Sequence, residues 1–219
     1  MRKLVVFFVL AFTGLGLQAQ DPLTDGPHYS ELWTGFTLKK KLNDKFTVNF
    51  DDQIRFTQEW NKIRVNFMEL GVKYKINKVI AIKAQYRYSI RNEVRNTRRI
   101  SLDLSSKWKI KPWNLEFKYR ARFQSGVVVY TGQSRSFFRN KFVLTYKFNK
   151  KWKTYASYES YYKVNGLSEF RSNRYVLGAN YQLNKRLELN PFLQLDQEIN
   201  VKHPATRSVF GLLFTYQFK

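Results

Sequence analysis

Between Ile100 and Ile110 the chain reads ISLDLSSKWKI, and its side chains sort by parity. Ile100, Leu102, Leu104, Ser106, Trp108 and Ile110 fall on one side, Ser101, Asp103, Ser105, Lys107 and Lys109 on the other. A period of two belongs to an extended strand with unlike faces, because successive side chains point in opposite directions; a helix would scramble both sets. The pattern returns from Trp113, where Trp113, Leu115, Phe117, Tyr119, Ala121 and Phe123 alternate with Asn114, Glu116, Lys118, Arg120, Arg122 and Gln124. After Val79, the residues Ala84, Tyr86, Tyr88 and Ile90 alternate with Lys83, Gln85, Arg87, Ser89 and Arg91. A chain with this alternation along its length is confined to β architectures.

Segments of this kind span roughly 31–42, 45–58, 63–76, 79–92, 98–110, 113–124, 136–148, 152–164, 171–183, 187–199 and 207–219. Most exceed the ~5–6 residues of an ordinary strand and reach the ~9–11 that a tilted strand needs to cross a bilayer. Turn-forming steps punctuate them. Measured between Asn43, Asn77, Pro112, Asn149, Asn184 and Lys219, the intervals are 34, 35, 37, 35 and 35 residues. Asn tolerates positive φ and Pro pre-sets φ, so each step suits a tight turn, and each interval holds one strand, a longer connection and a returning strand.

Hydrocarbon offers a backbone no hydrogen-bonding partner, so spanning strands must close into a barrel. The expected fold is therefore all-β: an antiparallel transmembrane barrel of 10 to 12 strands, with its greasy face on lipid and its charged face inside. Short turns belong at the periplasmic end and longer connections outside. These longer connections are expected near Trp60 to Lys62, Asn92 to Thr97, Ser125 to Gln133, Asn165 to Glu169 and Asn200 to Ala205. Trp108, Trp113 and Trp152 flank two short turns, where an interfacial aromatic girdle would sit. A soluble basic β-sandwich binding an anionic partner is the alternative, although it would use shorter strands.

The first residues, MRKLVVFFVLAFTGLGLQAQ, read as a secretory signal peptide with cleavage after Ala19, leaving residues 20–219 as one domain. Without Arg2 and Lys3, the 39 basic residues fall to 37 against 16 acidic ones, a formal +21. Such an excess predicts an anionic neighbour. Nucleic acid is not that neighbour on this reading, since single-strand platforms need cations and stacking rings on one surface, and here they alternate between two.

LWTGFTLKKKLNDKFTVNFDDQIRF, then GVKYKINK, then QYRYSIRNE leading to RRISLDLSSKWKI resembles the small outer-membrane barrels grouped as domain of unknown function 2490. The resemblance covers almost the whole mature chain and rests on strands and turns, with no catalytic motif. It implies a Gram-negative outer-membrane location and no activity.

Two details strain the pattern. Eleven segments conflict with the even strand numbers of bacterial single-chain barrels. DPLTDGPHY could add a twelfth strand, the first strand could close in parallel on the last, or the first could lie inside a ten-stranded barrel; we favour twelve. In addition, Asp52 falls on the apolar side, and Val65 with Phe67 oppose the parity of Met68, Leu70, Val72 and Tyr74, as a bulge near Phe67 or Met68 would produce.

The interior set supplies the candidate site: Arg87, Arg91, Glu116, Arg120, Arg122, Arg139, Lys141, Glu159 and Asp196. Charges in a narrow lumen are costly unless paired, so most should form ion pairs that fill it, and any surplus cations would make a narrow anion-preferring path. Small anions are one expected partner. Outer-membrane lipids and lipopolysaccharide phosphates are others, held by Arg95, Arg98, Arg99 and Arg171 on outer loops. A lipid hydrolase or acyltransferase is a further alternative, with Ser208, His203 and Glu198 as its triad, but HPATRS specifies no such geometry and a non-enzyme is expected. Two histidines and no Cys argue against a zinc site, and no phosphate-binding or dinucleotide motif points to a cofactor.

Overall fold

The computed structural model describes residues 26–57, 60–92, 95–166 and 168–218. The proposed signal peptide, most of DPLTDGPHY and the terminal Lys219 lie outside these residues. The described chain forms eleven strands: β1 (His28–Lys41), β2 (Phe46–Phe56), β3 (Ile63–Lys75), β4 (Ile80–Arg91), β5 (Thr97–Ile110), β6 (Leu115–Val128), β7 (Ser134–Lys147), β8 (Trp152–Lys163), β9 (Glu169–Gln182), β10 (Leu187–Glu198) and β11 (Thr206–Phe218). Consecutive strands pair antiparallel around a closed barrel, and β1 closes it against β11. This closure is parallel, in register from His28↔Thr206 to Lys40↔Phe218. The preference for twelve strands is thus corrected to eleven among the described residues: an odd number of up-and-down strands leaves the first and last running the same way, and parallel pairing removes the last open edge. A two-sheet sandwich is excluded by the same closure.

Four of the short turns share one device. The Asn43 side-chain oxygen accepts from the backbone N–H of Lys45 and Phe46, and Asn77, Asn149 and Asn184 repeat this with the residues two and three ahead. These side chains occupy N–H groups that the turn would otherwise leave unpaired. The fifth turn is a 3₁₀ segment (Lys111–Trp113) carrying Pro112, ended by Asn114 in the left-handed region at φ 54°. At the other end, β6 runs past the expected limit of 124, because Ser125 to Val127 pair with both β5 and β7 and Val128 pairs with β5. The connection expected at Ser125 to Gln133 shrinks accordingly.

No bulge lies at Phe67 or Met68. Val65 and Phe67 keep the register of β3 and point inward, both buried. The register shift instead falls between Arg55 and Phe56, opposite Arg64. A second shift falls between Tyr161 and Tyr162, opposite Arg171. Asp52 does lie on the outer face, level with Phe36 and Met68, and its Oδ1 has no hydrogen-bond partner.

The outer face carries the apolar residues in the open: Ile100 is 66% exposed, with Leu102, Leu104, Phe123, Phe142, Leu193 and Phe210 alike uncovered. Outward Trp108 stacks on Phe117 at 5.6 Å and Trp152 on Tyr181 at 4.4 Å near the short turns. Burial is found inside the barrel, and much of what is buried there is charged.

Candidate functional site

The strands bring their inward side chains to a common axis, and a belt of ion pairs crosses it from β3 to β8. Arg122 grips Asp103 through both ends of its guanidinium, Nε to Oδ1 at 2.6 Å and Nη2 to Oδ2 at 2.7 Å, and also donates to Gln85 Oε1 at 2.6 Å. Gln85 in turn donates to Glu69. Arg87 donates to the same carboxylate at 2.7 Å, and Arg99 reaches it at 3.4 Å. One strand further on, Arg139 donates to Glu159 at 3.0 Å and to Gln124 at 2.8 Å, while Arg120 donates to Glu159 at 2.5 Å. Glu159 is 1% exposed. A buried carboxylate is tolerated because two fixed guanidiniums replace its water, and the planar fork of arginine suits that task.

Of the nine candidates from sequence, Arg87, Arg120, Arg122, Arg139, Lys141 and Glu159 converge on this belt. Lys141 enters as the register partner of both Arg120 and Glu159. Asp196 lies elsewhere on the wall, paired with Arg174 through two bonds of 2.7 Å. Glu116 sits at the short-turn end, 3.1 Å from Lys118 and 3.3 Å from Lys147. Arg91 is exposed at the long-loop rim, outside the belt. Arg99, expected on an outer loop, is instead a lumen residue, because β5 begins at Thr97 and its parity aims Arg99 inward.

Parity did not reveal the greasy part of the lumen. Trp33, Val176, Phe192 and Val209 form a buried apolar cluster joined by Tyr155 and Leu213, on the wall made by β1 and β8–β11. Phe192 is the register partner of both Gly211 and Gly178. A Cβ on Gly211 would lie 2.0 Å from the Phe192 ring, so the ring fits only over bare backbone. The signal was weak in sequence since Phe192 and Val176 stand between outward residues that are also apolar or aromatic, and Val209 precedes outward Phe210.

Arginines join the two walls by stacking. The Arg55 guanidinium lies 3.6 Å from the Trp33 ring centre, Arg87 lies 3.5 Å from that of Phe67, and Arg139 lies 4.2 Å from that of Tyr161. Toward the long-loop mouth, Glu31 accepts from Trp33 Nε1 at 2.7 Å and from Arg64 at 2.9 Å. Arg64 is the bulged residue of β3, and the bulge turns it into the lumen. Arg207 approaches Glu31 to 2.6 Å as an ion contact whose Nε–H is not aimed at the oxygen.

The imagined pair of His203 and Ser208 does not form; the Ser208 hydroxyl lies 3.1 Å from Nε2 of His28, across the β1–β11 seam on the outer surface. The predicted orienter, Glu198, accepts instead from the backbone of Ala205 at 3.2 Å.

Below the belt, a cavity of about 810 Å³ opens at the short-turn end and reaches up to Arg120 and Lys141. Asp44 is the acid in its wall. It accepts from Lys41 at 2.6 Å, and this hydrogen bond, with the ammonium charge behind it, lowers its pKa below the usual carboxylate range.

A family model described as "Protein of unknown function (DUF2490)" matches residues 30–205. None of the curated proteins matches the chain. Among solved structures, the NanC porin is 13% identical over 73% of this chain and 78% of its own, with a TM-score of 0.49. A bacterial polysaccharide outer membrane secretin is 10% identical over 73% of this chain, which spans 60% of that protein, with a TM-score of 0.49. The translocator domain of the autotransporter NalP from Neisseria meningitidis is 11% identical over 75% of this chain and 71% of its own, with a TM-score of 0.47.

Proposed function

This chain belongs to the family of unknown function DUF2490, and from that premise we propose that it is a non-catalytic barrel of the Gram-negative outer membrane whose lumen is closed to solutes. One observation carries the reading: the apolar side chains lie uncovered on the outside while carboxylates such as Glu159, Glu69 and Asp103 are buried and paired on the inside. Water would drive that arrangement the other way round, whereas hydrocarbon outside favours it. The belt from Arg87 to Glu159 and the apolar cluster around Trp33 meet through stacked arginines, which leaves the middle of the lumen filled. Outer-membrane lipids are the outward partners, with exposed Arg95 and Arg98 at the level of lipopolysaccharide phosphates.

The purified protein, refolded into planar bilayers, is expected to produce no conductance steps above the bare bilayer. Stepwise conductance from the unmodified chain would overturn the closed reading. The narrow anion-preferring pore would then take its place, a reading favoured by the surplus of lumen cations, and Arg120→Glu with Arg122→Glu would reverse the ion preference.

A further inference from the structure

The lumen divides its cations by kind. Most lumen-facing arginines of the strands (Arg55, Arg87, Arg99, Arg122, Arg139, Arg174) occupy the middle and the long-loop half, while Arg120 borders the recess from above. Lumen-facing lysines, apart from Lys163 in the last position of β8, occupy the short-turn half. The arginines are bound to carboxylates or stacked on rings, as their flat, weakly hydrated heads permit. Among the lysines, Lys118 and Lys147 meet Glu116 and Lys153 meets Glu188, but the rest of the recess has no such company. Lys73, Lys75, Lys107, Lys109 and Lys141 all line the 810 Å³ cavity, and among the described residues none of them has a carboxylate within ion-pair distance, while Lys118 is held by Glu116. Asp44, the acid of the wall, is already engaged by Lys41.

So many like charges facing one open recess call for a counter-ion. Bilayer phosphates cannot serve, since headgroups meet the outward faces of the strands and these lysines point to the axis. Any neutralising group must therefore be soluble and enter through the mouth. The recess has the volume of an ordinary small-molecule site and reaches as far as Arg120 and Lys141. Its donors are ammonium point charges, which bind phosphate without requiring the forked geometry that favours carboxylate.

We propose that this vestibule is a binding site for a soluble multivalent phosphate of the pyrophosphate class, held by Lys73, Lys75, Lys107, Lys109 and Lys141. The proposal rests on the closed-barrel reading above, which makes the recess a pocket with one entrance. Inorganic pyrophosphate is the probe, titrated calorimetrically into the folded protein in non-ionic detergent, with orthophosphate as a second arm. Expected is saturable binding of pyrophosphate, about tenfold or more tighter than that of orthophosphate, weakening as chloride rises. Lys73→Gln with Lys107→Gln should weaken it by about tenfold or more, the usual weight of charge-assisted contacts. A second variant at the mouth, Lys75→Gln with Lys109→Gln, should do the same, and Lys202→Gln on a long loop should leave it unchanged. No saturable heat with pyrophosphate, or equal affinity in all three variants, overturns the site. The shift in gel mobility on heating, read on each sample, reports separately whether the barrel has formed, so loss of that shift in the unmodified protein strikes the barrel reading instead.

Discussion

At the residue scale, Glu159 is the most exposed to its neighbours' chemistry. It sits between Arg120 and Arg139 with Lys141 across the strand, and it is closed off from water. Glu159→Ala should therefore cost about 3 kcal/mol or more, because it leaves two buried guanidiniums facing each other without their shared anion. Equilibrium unfolding in urea of the lipid-reconstituted barrel measures this, and adding Arg139→Met should restore part of the loss. Parity made Glu159, Arg120 and Arg139 legible from sequence, since each follows an outward aromatic residue, Tyr158, Tyr119 or Phe138, in an alternating strand. Phe192 was not legible, because an apolar residue pointing inward between Pro191 and Leu193 pointing outward leaves no contrast to read. Arg99 was misplaced for another reason: a loop ends where pairing begins, and no local property of Arg98 or Arg99 marks that point.

At the element scale, the seam between β1 and β11 is the feature least like its relatives in architecture, since bacterial single-chain barrels usually close antiparallel with even strand numbers. Parallel ladders are slightly weaker per residue than antiparallel ones, and this seam is backed on its inner side by Trp33, Val209 and Leu213. Apolar packing behind the seam compensates for the weaker ladder. Thr34 and Leu212 are register partners on the outer face, and the chain contains no native Cys. Thr34→Cys with Leu212→Cys should then form an intramolecular disulfide on mild oxidation of the folded protein, whereas Thr34→Cys with Thr206→Cys should not. Non-reducing electrophoresis checks both; equal cross-linking, or none in the first pair, would contradict parallel closure. The turns repeat the same lesson at smaller size. Asn43, Asn77, Asn149 and Asn184 announced themselves through one chemistry, and the structure uses that chemistry four times.

At the scale of the whole molecule, the barrel separates three surfaces: an uncovered apolar outer face, a buried arginine and aromatic belt at mid-lumen, and a lysine-lined recess toward the short turns. Tryptophan position reports the first division. Trp152 is outward and 44% exposed near a short turn, whereas Trp33 is 4% exposed inside. In single-tryptophan variants reconstituted with lipids brominated near the headgroup end of the acyl chain, Trp152 fluorescence should be strongly quenched and Trp33 hardly at all. Similar quenching at both positions would remove Trp33 from the lumen and with it the closed interior. The division of lysine from arginine also has a physical origin. Ammonium groups keep their water and favour the open recess, while guanidiniums give up water more readily and favour the belt.

The amino-acid order alone determined that this chain makes long two-faced strands, where its short turns fall, and which charges share the inner face, because side-chain alternation and Asn or Pro turn chemistry are local properties. Only the tertiary structure decided the strand count, the parallel seam, the apolar cluster behind it and the allotment of arginines and lysines to opposite halves. These depend on which strand lies beside which and at what register, a relation between distant segments that no local pattern encodes.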